Sequence, residues 1–220
     1  MTDAKNDLTL TEIRDKIALI LPKHAAFDGW TNQAVLAAAA EIGVDGDVAI
    51  LAFPAGAIDM VICYIGGIDA EMARRLPPEK IGSMKIRDRI SALIQTRLDI
   101  MAPYCEAQRR AMAILAMPSN LSSTAKIGWR TADRMWRMAG DESSDFNHYT
   151  KRMTLSAVYG STLAVFINDE SENFAETKAF LSRRIDNVMQ FEKAKAGWKA
   201  RSENMPSLSR LIGRMRYPAK

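Results

Sequence analysis

Apolar residues recur along this chain at spacings of three and four, and no stretch sustains the two-residue alternation of a half-buried strand. Thr9 followed by Glu12 has capping-box spacing, and Ile13, Ile17, Ile20 and Leu21 then share one helical face, which predicts a first helix stopping near Pro22. Asp28-Gly29 predicts a turn, after which Thr31 caps a short helix through Val35, Leu36, Ala39 and Ile42, closed by Gly43. Asp47–Phe53 reads as a helix of one or two turns, Pro54-Ala55-Gly56 as a break, and Ala57–Leu76 as a longer helix halted by Pro77-Pro78.

The second half keeps the same period. Ile86, Ile90, Leu93, Ile94, Leu98 and Met101 form one stripe up to Pro103, and a shorter segment runs on to Pro118. Helices are then expected over about Ser122–Ala139, closed by Gly140, and from Phe146 to about Ile167, capped by Asp145. Asn173 with Glu176 predicts the cap of a last helix through Phe180, Ile185, Val188 and Met189. The fold class is all-α. The opening order of helix, short helix, glycine turn, short helix and long helix is the layout of a helix-turn-helix module. A small module of this kind ahead of a larger helical bundle resembles the TetR family. The expected parts are a degenerate helix-turn-helix-like module over residues 8–78, a larger helical bundle over 79–190 and a basic amphipathic tail over 191–220.

Composition narrows the classes. The chain has 220 residues, 48% of them hydrophobic and 25% charged, which excludes collagen-like and disordered chains. Cys63 and Cys105, the two cysteines, are too few for a disulfide framework and imply a reducing compartment. No apolar run is long enough to span a bilayer, and MTDAKNDLTL reads as neither a secretory signal nor an Arg-rich transit peptide. The expected location is a bacterial cytoplasm.

Charge distribution changes the picture more than the net value of +4. From His24 to Ala73 there is no Lys or Arg, against seven acids: Asp28, Glu41, Asp45, Asp47, Asp59, Asp69 and Glu71. Duplex DNA is bound largely through bases that neutralise phosphates, and the would-be recognition segment Asp47–Phe53 has no side chain able to read a base edge. The module therefore keeps the layout and loses nucleic-acid binding. A ligand-responsive TetR-type transcriptional regulator is the alternative reading.

Catalytic chemistry has little support. Asp145-Phe-Asn-His148 is a single near match to the paired Glu-x-x-His of a di-iron bundle, and no P-loop, Rossmann or nucleophile-elbow pattern occurs. Neither a metal nor a cofactor is implied. Thirteen methionines, among them Met84, Met101, Met112, Met117, Met135, Met138, Met153 and Met189, suit either an ordinary core or a pocket for a long apolar molecule. In the tail, Met205, Leu208, Leu211, Ile212 and Met215 form a stripe flanked by Arg210, Arg214 and Arg216. That pattern fits an interfacial membrane helix, a helix docked on its own bundle or dimer partner, or more weakly a nucleic-acid contact. Between two helices, Trp136, Phe146 and Tyr149 bracket a short acidic turn, which suits a protein–protein hot spot or a plain helix junction.

At that turn, Met135-Trp136, Ala139-Gly140-Asp141, Ser144-Asp145-Phe146-Asn147, Tyr149-Thr150 and Arg152 resemble the ninth Coq protein of ubiquinone biosynthesis. The similarity runs from about residue 8 to 190 and includes His24–Thr31, Pro103-Tyr104, Pro118-Ser-Asn120, Ala157-Val-Tyr159 and Arg184-Ile-Asp186-Asn187. The resemblance implies a homodimeric TetR-like fold without DNA binding, holding an isoprenoid or phospholipid and attached peripherally to the inner membrane. It implies a non-enzymatic accessory that presents a quinone precursor to a di-iron demethoxyubiquinol hydroxylase. It assigns partner binding to Asp133, Met135, Trp136, Asp145, His148 and Tyr149, and lipid contact to Arg152 and Met153. His148 stands where eukaryotic members carry Trp, and Lys151 where they carry Arg.

Overall fold

The computed structural model describes residues 8–144 and 146–203, with side chains up to residue 190. Asp145 and the tail stripe of Met205, Leu208, Leu211, Ile212 and Met215 lie outside the described residues. Eleven α-helices and three short 3-10 turns make up what is described, with no strand among those residues. Among the described residues, those up to Leu181 form one compact unit and those from Ser182 onward a second.

Thr9 caps α1 (Leu10–Ile17) in a complete capping box: its hydroxyl accepts from the Glu12 amide, and the Glu12 carboxylate accepts from the Thr9 amide at 2.8 Å. The first helix was expected to stop at Pro22, but the chain turns at Ala18–Ile20 and Pro22 sits in the first turn of α2 (Leu21–Asp28). Proline at that position lacks an N–H that the helix would leave unpaired anyway, so it starts a helix as readily as it ends one. α3 (Asn32–Ile42) ends at Gly43, whose φ of 69° carries the left-handed turn into α4 (Gly46–Leu51), capped by Asp45. α5 (Ala57–Arg75) is buried along Met60, Val61, Tyr64, Ile68 and Met72. After the single-turn α6 (Pro78–Ile81) come α7 (Ile86–Met101) and α8 (Cys105–Leu115).

The first five helices do not stand apart from the bundle. α5 packs along α7, and α2 packs on α8. The Trp30 indole N–H donates to the Ala107 carbonyl at 3.0 Å, and its ring lies 5.3 Å from that of Tyr64. Deeper in, Asp69 of α5 and Arg97 of α7 form an ion pair closed to solvent, and the Arg97 Nε also donates to the Tyr159 hydroxyl at 2.9 Å. Two charges out of water require this closeness and these extra hydrogen bonds.

α9 (Leu121–Met138) and α10 (Phe146–Phe166) pack closely as a helical hairpin. α11 (Ala175–Glu203) follows, and its cap differs from the Asn173 expectation. Asn173 has a φ of 54° and belongs to the connecting turn. The capping falls to Asp169 and Ser171: Asp169 Oδ2 accepts from the Thr177 amide at 2.8 Å, and the Ser171 hydroxyl accepts from the Glu176 amide at 3.0 Å.

Candidate functional site

The corner between α9 and α10 is built by a Schellman ending. Gly140, at a φ of 87°, lets the Asp141 amide return to the Trp136 carbonyl at 2.9 Å and its own amide reach the Arg137 carbonyl at 3.0 Å. From α7, Arg89 donates to the Ala139 carbonyl at 2.8 Å and so holds the corner from the adjacent helix. Asp141 is thereby turned inward against α10.

Arg152 is the centre of this arrangement and is buried. Its Nε donates to Asp133 Oδ1 at 2.8 Å, and its Nη1 to Asp141 Oδ2 at 2.8 Å and to the His148 carbonyl at 3.1 Å. Lys151 donates to the other Asp141 oxygen at 2.5 Å, with the Ser143 hydroxyl donating to both. Burial opposes ionisation of Asp141, yet the hydrogen bonds from Lys151, Arg152 and Ser143 hold its carboxyl well below the usual carboxylate range. Asp133 is lowered by the same opposition, its burial outweighed by Arg152 and Arg137. One guanidinium therefore ties the middle of α9, the corner and the start of α10 together.

Outside this clamp sits an aromatic cluster. The Trp129 ring lies 5.8 Å from Tyr149 and 6.1 Å from His148, and the latter two are 5.2 Å apart, edge to face. The Trp136 indole donates to the Lys151 carbonyl at 3.0 Å, and the Lys151 ammonium lies over its ring. His148 Nδ1 pairs with the Ser143 carbonyl at 2.9 Å. Phe146 (76% exposed), Tyr149 (57%) and Met153 (66%) project to solvent from one face of α10.

The sequence-derived candidates are thus brought together unequally. Asp133, Trp136, His148, Tyr149, Arg152 and Met153 all lie at this corner, and Asp145 is outside the described residues. Met135 is fully buried in the core beneath it, so it supports the surface without forming part of it. Arg152 faces two carboxylates, and a phosphate headgroup would have to displace one of them. Trp129 was not among the expected residues. The signal was available: it precedes Trp136 by seven residues, two turns along one face of the helix.

No group of three His, Cys, Asp or Glu among the described residues is placed to hold a metal ion. Burial pushes the Cys63 thiol up to about 12, and its S–H donates to the Arg14 carbonyl, the environment of an unreactive core cysteine. No helix of the described residues is long and apolar enough to cross a membrane.

Residues 121–192, which include the whole corner, match the COQ9 family model. Over 176 residues, 77% of this chain and 54% of the relative, the sequence is 32% identical to the human "Ubiquinone biosynthesis protein COQ9, mitochondrial". The chain belongs to the COQ9 family. The Drosophila melanogaster protein of the same name is 30% identical over 184 residues, covering 82% of this chain and 56% of that protein. The chain spans about half the length of the curated relatives it matches. By fold, this COQ9-family chain is similar to the crystal structure of a TetR transcriptional regulator from Nitrosomonas europaea, with a TM-score of 0.63 and 22% identity. That alignment covers 80% of this chain and 98% of the regulator, and it shows a TetR-like fold.

Proposed function

We propose that this protein is a non-catalytic, lipid-binding accessory of ubiquinone biosynthesis. In this reading the bundle over residues 79–190 holds an isoprenoid quinone precursor or a phospholipid. The α9–α10 corner engages a di-iron demethoxyubiquinol hydroxylase, and the chain acts peripherally at the inner membrane. The observation that carries the reading is the corner itself: exposed Phe146, Tyr149 and Met153 held on a rigid base by the buried Arg152 clamp. Aromatic and Met side chains on a preorganised surface are what a binding hot spot uses, because little entropy is lost when they dock. Arg152 acts as a positioning residue in this scheme, and His148, Tyr149 and Met153 make the contact.

Other observations support the remaining parts. Tyr64 and Gln108 each carry a buried side-chain oxygen with no protein partner, giving the interior hydrogen-bonding capacity for an oxygen-bearing lipid head. The exposed face of α10 from Ala157 through Gly160 and Ser161 to Ala164 is small and uncharged, a surface suited to a second copy of the chain. The tail stripe of Met205, Leu208, Leu211, Ile212 and Met215 would add a membrane contact by its sequence pattern. A transcriptional role is disfavoured by the module, where acids replace the bases that DNA binding needs.

Native mass spectrometry with organic extraction of the freshly purified protein tests the reading. A co-purifying quinone precursor, other isoprenoid or phospholipid is expected. Protein that emerges empty and fails to take up an added precursor overturns it.

A further inference from the structure

The solvent side of α9 is basic, and of its four bases only Arg137 takes part in the clamp. Lys126, Arg130, Arg134 and Arg137 are all exposed and recur at spacings of four, four and three, one helical stripe. At 1.5 Å per residue it extends about 16 Å along the helix. Asp133 is the sole acid of α9, and its carboxylate is committed to Arg152 and Arg137. Lys126, Arg130 and Arg134 have no ion pair among the described residues. Long cations left exposed and unpaired at this density repel one another, so the helix alone gains nothing from the stripe.

The stripe also has an apolar border. Trp129, between Lys126 and Arg130, is half-buried and meets Tyr149 across the seam with α10. Phe146 stands one turn earlier on the same α10 face, and among the described acids of the corner Glu142 is without an ion pair. Bases in a row with Trp and Tyr along one side suit the boundary between headgroups and acyl chains: the cations reach phosphates while the amphipathic rings lie at the interface.

We propose that the outer face of α9, Lys126, Arg130 and Arg134 with Trp129, docks on a bilayer leaflet containing anionic phospholipid. This deepens the membrane part of the proposed function. It would set the α9–α10 corner at the lipid surface, independently of the tail.

The test is flotation of the full chain with vesicles of phosphatidylcholine alone and of phosphatidylcholine with phosphatidylglycerol. Wild-type protein is expected to float with the anionic vesicles and to be released by salt. The triple variant Lys126→Gln/Arg130→Gln/Arg134→Gln is expected to bind at least about tenfold more weakly, since each base near an anionic surface contributes measurably. Its substitutions are exposed, so an unchanged thermal melt confirms folding. In a second readout, brominated phosphatidylglycerol quenches part of the tryptophan emission, and Trp129→Phe is expected to remove that part. The inference is overturned if wild type does not float, if the triple variant floats equally well, or if Trp129→Phe leaves quenching unchanged. Lipid retained on extraction is read separately. Its absence counts against the accessory reading, whereas loss of stripe dependence alone counts only against this one.

Discussion

Asp69 and Arg97 meet in the interior, one from the last helix of the amino-terminal module and the other from the first long helix of the bundle. Removing either partner leaves the other as a buried, unpaired charge. Asp69→Ala and Arg97→Ala are each expected to cost about 3–5 kcal/mol, whereas the double variant Asp69→Leu/Arg97→Met recovers most of that loss. Chemical denaturation of the four proteins measures both effects. Equal losses in the single and double variants would mean that shape, not charge, matters at this position.

Arg152→Lys tests the clamp. A single ammonium cannot reproduce the forked approach of a guanidinium to Asp133 and Asp141. Hydrogen exchange over residues 141–152 is expected to accelerate, while amides of α3 and α5 keep their protection. Unchanged exchange at the corner would show that Lys151 and Ser143 suffice to hold Asp141.

Gly140→Ala places a side chain at a φ of 87°, with its Cβ 3.1 Å from Arg89 Nη1. The left-handed backbone alone costs a non-glycine residue about 1–2 kcal/mol. A lower melting temperature is expected, with weaker binding of any partner that reads the corner. Gly66→Ala is the control, because nothing lies within 4 Å of its added Cβ and it sits within a regular helix.

The Asp169 carboxyl lies at about 2: burial opposes its charge, but hydrogen bonds from Ser171 and Thr177 prevail. A folded-state value below the unfolded value of about 3.9 contributes stability that is complete above pH 4 and lost as pH falls toward 2. Asp169→Asn is expected to be less stable at neutral pH and to show a shallower loss over that window in acid titrations followed by circular dichroism. Parallel curves would assign the acid sensitivity to other carboxylates, such as Asp141.

Helix spans were readable because period and punctuation agreed: Gly43, Gly56 and Gly140 sit at positive φ where the pattern breaks. Pro22 misled because proline is equally at home at the start of a helix. Asn173 misled because its spacing to Glu176 mimics a cap, while the true acceptors, Asp169 and Ser171, lie further back and are brought there by the fold. Residue types at the corner were legible through the resemblance, but burial was not. Period alone does not tell which of Met135 and Met153 faces the core, since that depends on where the neighbouring helices lie. Nor does it show that two acids eleven and nineteen residues upstream leave the Arg152 guanidinium facing inward.

A regulator that answers to a ligand needs a head whose position changes when its bundle is loaded. Here a swing of the first helices would break the Trp30 hydrogen bond to Ala107 and pull Asp69 away from Arg97 in a dry interior. The hinge has become a weld. Under the proposed function, lipid entering or leaving the bundle would then leave the head unmoved, and its occupancy would be read locally, by a neighbour touching the bundle itself.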